Sequence, residues 1–270
     1  MTWFELFYAS LTLVLGASIG SFINVVVYRL PEGRSLIKPK SYCPNCYTSL
    51  AVEDNIPIFG WLMLQGQCRY CKSPIHVQYP LVELLSAFLF GLAFWMFGFS
   101  GTTIGAFVFI FWLLALALID LEHMILPNSL TQWGLISGLV FQGVMGAIAE
   151  GSSTGFFSNV LEFLWAAVIG LLLFDAIRIV GSLILRQDAM GGGDAKLAAL
   201  IGAWLGWKLL LLSAFVACLF GSVVGLGGIA LGLLGRRQPI PFGPYLVVGA
   251  IVAFFAGQPI LSWYLNLLGL

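Results

Sequence analysis

Ionisable groups at or within apolar segments are costly, so the few acidic ones in this chain need a reason. Asp120 sits in Leu116-Ala-Leu-Ile-Asp-Leu-Glu-His-Met-Ile-Leu-Pro127, and Asp194 in Met190-Gly-Gly-Gly-Asp-Ala-Lys196. Two carboxyl groups held side by side can share one proton. The ionised member then takes a proton from water while the neutral member polarises a peptide carbonyl. That is hydrolysis without a metal or a covalent intermediate. Gly191, Gly192 and Gly193 suit such chemistry, because bare backbone lets an extended peptide approach and permits positive-φ turns. Together with Lys196 they are candidates for substrate-binding or site-lining positions. A plainer account also exists for each aspartate. Asp194 follows a glycine run and can cap the next helix, and Asp120 can simply end a span.

The second chemical group is sulfur. Cys43-Pro-Asn-Cys46 and Cys68-Arg-Tyr-Cys71 lie in one short polar segment. Paired Cys-x-x-Cys knuckles are a signature of tetrahedral zinc, and four thiolates close the coordination sphere, so the metal would be structural. A loop this small has too little core to fold unaided, and a metal supplies the missing free energy. Two disulfides are the alternative, disfavoured if the loop faces a reducing cytoplasm. His76 follows the second knuckle, but four sulfurs already suffice. Cys218, in an apolar run, reads as a small buried thiol. Glu83 reads either as a residue orienting the cysteine loop or as a helix-start carboxylate. Asp175 and Arg178, three apart, read as a pair satisfying each other, and His123 as a polar interface residue.

The elements that must position these groups are membrane helices. Sixty per cent of the 270 residues are apolar and nine per cent charged, against roughly 25% charged in a soluble domain. Lipid must therefore cover most of the chain. A net charge of zero gives no hint of a nucleic-acid partner. Apolar runs occupy Leu6–Tyr28, Leu81–Phe99, Ile104–Ile119, Leu130–Ala149, Val160–Leu185, Leu209–Leu234 and Phe242–Leu268. A shorter one, Ala195–Trp207, reads as a short span or a re-entrant piece. The expectation is an all-α membrane protein of about eight transmembrane helices with a small zinc-binding loop domain. Its parts are a first helix at 1–28, a cytoplasmic four-cysteine zinc loop at 29–80, and a helical core at 81–270. The first helix reads as retained, since Glu5 stands where a cleaved signal carries basic residues. Gly16 with Gly20, and Gly221 with Gly225, have the spacing that lets helices pack closely.

Orientation follows from the basic residues. Arg29, Arg34, Lys38, Lys40, Arg69 and Lys72 lie in the first loop, with Arg178, Arg186, Lys196, Arg236 and Arg237 further on. If that loop is cytoplasmic and all eight segments cross, every Lys and Arg except Lys208 falls on or near the cytoplasmic side. Asp120 and Asp194 fall there too, and both chain ends lie outside.

In this order the motifs resemble the type IV prepilin peptidases, also called prepilin leader peptidase/N-methyltransferases. The resemblance runs from about Gly16 to Ala250. It includes Gly20-Ser-Phe-Ile-Asn-Val-Val-Val-Tyr-Arg-Leu-Pro31, both cysteine knuckles, Tyr79-Pro-Leu-Val-Glu83, Asp120 with Leu126-Pro127, Gly191-Gly-Gly-Asp-Ala-Lys-Leu197 and Pro241-Phe-Gly-Pro244. It implies an intramembrane aspartic peptidase of the Gly-x-Gly-Asp kind, with Asp120 and Asp194 as the catalytic pair. The implied substrates are prepilins or pseudopilins, cut after a glycine at the cytoplasmic face of a bacterial inner membrane, for pili or type II secretion. The resemblance further implies N-methylation of the new terminus with S-adenosylmethionine, an activity associated with the cysteine-loop region. Where the family commonly has Leu-Pro-Asp, this chain has Asn128, which removes a possible third carboxylate. From other classes, a proton-coupled transporter would explain the aspartates but not the cysteines or glycines. A non-enzymatic assembly factor would use the loop for docking.

Overall fold

The protein is described by a computed structural model covering residues 3–186, 190–233, 235 and 240–267. Arg236, Arg237, Leu234 and Leu268, used above for orientation and segment ends, lie outside the described residues. Among the described residues the chain is helical apart from the polar loop and short turns, with only isolated bridges as extended pairing. It divides into two compact units, Met1–Ala115 and Leu116–Leu270.

In the first unit α1 (Trp3–Arg29) packs on α3 (Gln78–Phe97). Gly16 and Gly20 make this close approach possible. A Cβ on Gly16 would lie 2.8 Å from the Cα of Ala87, and one on Gly20 2.7 Å from the Cα of Glu83. The pairing is antiparallel, since 16 meets 87 and 20 meets 83. Between these helices runs the polar loop, which contains a 3-10 turn (Glu53–Asn55) and the short α2 (Phe59–Met63). Trp61 of α2 donates its indole N–H to the Ile75 carbonyl at 3.2 Å and thereby ties the two ends of the loop's second half.

α4 (Gly101–His123) ends within the second unit, which continues with α5 (Asn128–Glu150), α6 (Ser153–Leu185), α7 (Gly192–Ala230) and α8 (Gly243–Leu267). α5 and α6 form an antiparallel hairpin. Gly151 takes a left-handed φ of 64° at the turn, and the Ser152 hydroxyl caps α6 by accepting the Gly155 N–H.

α7 is broken at Gly206, whose φ of 77° and ψ of 169° are not helical. In a straight helix Asp194 and Cys218 would stand about 36 Å apart, yet both line one cavity. A Cβ on Gly170 of α6 would meet Ala198 O at 2.8 Å and Leu210 Cδ2 at 2.9 Å, although these residues belong to opposite sides of the break. The chain therefore doubles back at Gly206. Its two arms are the short segment and the long segment expected after Gly193. Among the described residues seven helices are long and apolar enough to cross a membrane, and counting the arms separately gives eight segments.

The first arm is the core of the unit. Leu197, Ala198, Leu200, Ile201 and Ala203 are fully enclosed. A Cβ on Gly202 would lie 2.5 Å from the Ala166 carbonyl, so only glycine allows this approach to α6. Burial away from water demands partners for polar groups, and the Trp204 indole and backbone carbonyl have them. Trp204 donates to Gly134 O at 2.9 Å, and Gln142 donates to Trp204 O at 2.6 Å. Outward faces carry Trp165, Ile184, Val223 and Leu226, all largely exposed. Such a surface is stable only in lipid, and the chain is a multi-pass membrane protein.

Candidate active site and metal centre

The end of α4 supplies Asp120 and the first turn of α7 supplies Asp194. They are only 6% and 5% exposed. Both line a cavity of about 500 Å³ walled by Phe174 and Ile177 of α6, Cys218 of α7, and Phe242 just before α8. The two carboxyl groups are close enough to interact electrostatically. Asp120 accepts the backbone N–H of Gly243 at 3.1 Å. A Cβ at position 243 would lie 2.5 Å from the same carboxylate oxygen, so glycine is what lets α8 start against Asp120. Asp194 is held by its own backbone, whose N–H donates to Gly191 O at 3.2 Å.

The glycine run works differently from the expectation of positive-φ turns. Gly191 has φ −68° and ψ 139°, and Gly192 and Gly193 already belong to the helix. Gly191 borders the cavity, where added atoms would find open space near Asp194, whereas Gly193 is where Leu126 packs, 2.8 Å from a hypothetical Cβ. Lys196 is not among the residues that wall the cavity. Its ammonium donates to Asn128 Oδ1 at 2.5 Å. Asn128 therefore borders α7, and a carboxylate there would have faced Lys196. Cys218 corrects a second expectation: it is exposed, and it borders the cavity. Gly243 was visible beforehand only as part of Pro241-Phe-Gly-Pro244, with no chemistry attached. Asp175 and Arg178 pair at 3.0 Å as anticipated, and His123 stands half-exposed beside Glu122.

The four loop cysteines converge in the first unit. One sulfur from each lies within 4.8 Å of all the others, and Cys43 and Cys71 are 3.8 Å apart. A tetrahedral centre with metal–sulfur bonds of about 2.3 Å sets its sulfurs about 3.8 Å apart, so the cluster has the right size. None is in a disulfide. The knuckles are built alike. Cys43 N donates to Thr48 O and Cys68 N to Ser73 O, and Tyr47 and Lys72, each directly after a second cysteine, take left-handed φ of 56° and 59°. The Ser73 hydroxyl and N–H, with Asn45, bring the Cys71 thiol down to about 6. At Cys43 burial opposes ionisation, but N–H groups of Cys46 and Asn45 outweigh it and the thiol is lowered. Backbone N–H groups of Cys71 and Tyr70 act on Cys68 in the same sense, yet burial and neighbouring thiols leave it raised. This donor set, rich in N–H groups aimed at sulfur, fits a divalent cation held by thiolates.

Glu83 is buried in α3 and accepts the Ile58 N–H at 2.6 Å, so it does hold the cysteine loop. Together with Cys43, Cys68 and His76 it lines a second cavity, of about 360 Å³, within the first unit. His76 uses Nδ1 to accept the Gln78 N–H and takes no part in the sulfur cluster.

Known proteins agree with this layout. Residues 14–97 match the bacterial peptidase A24 N-terminal domain, and residues 107–226 match the type IV leader peptidase family. The prepilin leader peptidase/N-methyltransferase of Stutzerimonas stutzeri is 36% identical, over 94% of this chain and 92% of its own. The proteins of the same name from Aeromonas hydrophila and Pseudomonas aeruginosa are 36% and 35% identical, each over 96% of this chain and over 94% and 93% of their own. No solved structure matches the chain. The chain belongs to the type IV leader peptidase family.

Proposed function

We propose that this protein is a prepilin peptidase that also methylates its product, with Asp120 and Asp194 as the hydrolytic pair. The observation that carries the reading is one cavity bordered by both buried carboxyl groups, with Asp120 anchored by the Gly243 N–H. A water between the two gives its proton to the ionised carboxylate as its oxygen attacks the scissile carbonyl carbon. The neutral carboxyl group donates to the carbonyl oxygen. The tetrahedral intermediate then collapses, the carbon–nitrogen bond breaks, and the leaving nitrogen takes up a proton from the pair. Apolar walls such as Phe174 and Phe242 keep bulk water away, which strengthens these interactions.

The substrates are prepilins or pseudopilins, each a basic leader, a glycine and then an apolar helix that reaches the site from lipid. The basic loop residues support a cytoplasmic active site in a bacterial inner membrane. Zinc is the metal for Cys43, Cys46, Cys68 and Cys71, where it fixes the loop. S-adenosylmethionine, when bound, supplies a methyl group to a neutral amine and leaves as a thioether, the amine giving up a proton. Purified protein incubated with a model prepilin should release the leader as a single fragment cut after its glycine, detected by mass. An intact substrate would refute the peptidase reading.

A further inference from the structure

The cavity in the first unit is lined by neither Asp120 nor Asp194, and its lining is unusual for a gap beside a membrane helix. Three charged groups in it are shielded from solvent: Glu83 and Arg29, at 7% and 6% exposed, and Asp54, whose carboxylate is already paired with Arg69. Arg29 spends two N–H groups on the carbonyls of Ser35 and Lys40, at 3.2 and 3.4 Å. A guanidinium has five such donors. Glu83 accepts the Ile58 N–H through Oε2 and a second hydrogen bond from the Ser21 hydroxyl, and a carboxylate has capacity for about four bonds.

The turn that Glu83 grips is strained. Ile58 has φ 65° and ψ −54°, and Phe59 N donates to Pro57 O at 2.6 Å. This is a positive-φ γ-turn, a rare conformation, on a β-branched residue that disfavours it. Strain of this kind collects at binding sites.

Glu83 and Arg29 stand at opposite ends. Gly20 abuts Glu83, and nine residues of α1 separate Gly20 from Arg29, about 13 Å of helix. Tyr28 and Trp61 provide aromatic wall, and Cys43 and Cys68 close one side. A ligand of this shape is elongated, with hydroxyls at one end, a carboxylate at the other, and a flat ring or a cation to lie on aromatic faces. The volume of about 360 Å³ lies within the usual small-molecule range of about 300–1,000 Å³.

We infer that this cavity is the S-adenosylmethionine site, with Glu83 accepting the ribose hydroxyls and Arg29 holding the carboxylate of the methionine part. The inference rests on the methyl-transfer reading above and adds where the donor sits and what recognises it. The cysteine knuckles then act as a wall of the donor site, and the metal shapes it without touching the reacting atoms.

The test is equilibrium binding of radiolabelled S-adenosylmethionine to the purified full chain and to Glu83→Gln and Val25→Trp. Glutamine keeps an acceptor for the Ile58 N–H but loses the charge, whereas tryptophan at 25, also on the cavity wall, fills the space. Zinc content and monodispersity show that each variant is folded. At least tenfold weaker binding in both variants is expected. Unchanged binding in either folded variant overturns the site. Absence of binding by the unaltered chain removes the methyl-transfer reading, and the site with it.

Discussion

Asp120 and Gly243, 123 positions apart, are joined by a hydrogen bond from the glycine N–H to carboxylate Oδ2 at 3.1 Å. The start of α8 thereby fixes one of the two carboxyl groups in the cavity. A methyl group at 243 would meet that oxygen at 2.5 Å, and the carboxylate can yield only by giving up the bond. Gly243→Ala should therefore cut kcat for leader cleavage by roughly 100-fold, as small displacements of reacting groups do, with little change in KM. Gly221→Ala, where the nearest atom is 3.6 Å away, serves as the control and should cleave normally.

The bond between Lys196 and Asn128 makes a weaker demand. Lys196 is exposed, and polar pairs in water contribute less than about 1 kcal/mol. Lys196→Met should slow cleavage no more than about fivefold, measured as kcat/KM. Asn128→Asp, which converts the contact into an ion pair, should cleave at least as well as the unaltered chain.

Gly206 carries the turn between the arms of α7. Its φ and ψ, 77° and 169°, lie in a region open essentially to glycine alone, at a cost of about 1–3 kcal/mol for other residues. A Cβ there has room, with Phe163 no nearer than 3.5 Å. Gly206→Ala should lower the thermal unfolding midpoint in detergent through backbone strain, and Phe163→Ala should not relieve it.

The sulfur cluster makes a compositional prediction. The purified protein should contain one zinc ion per chain, and Cys68→Ser should lose it. Stripping the metal should open the loop between Arg29 and Gln78 to protease while the helices stay intact, because the loop has little core of its own.

How far the sequence alone reaches differs from element to element. Run lengths and the placement of Lys and Arg locate the spanning segments, since the hydrocarbon core dictates both. Cysteine spacing suffices for the knuckles because their geometry is local. The break in α7 shows only as a glycine among apolar residues, and its position at Gly206 follows from packing against α6. That reversal explains why Cys218 borders the cavity instead of lying in a core. The roles of Gly243, Asn128 and Lys196 depend on partners 68 or more positions away, which no local pattern encodes. The glycines before Asp194 are legible as a motif, but they do not turn the chain; Gly193 admits Leu126 and Gly191 borders the cavity.

The most direct measurement is leader cleavage by purified Asp120→Asn and Asp194→Asn with a synthetic prepilin. Asparagine keeps the shape and removes the acid–base function, so each variant should retain its fold and lose at least about 1,000-fold in kcat. A folded variant of either kind that still releases the leader at a rate near that of the unaltered chain would contradict the paired-carboxyl mechanism.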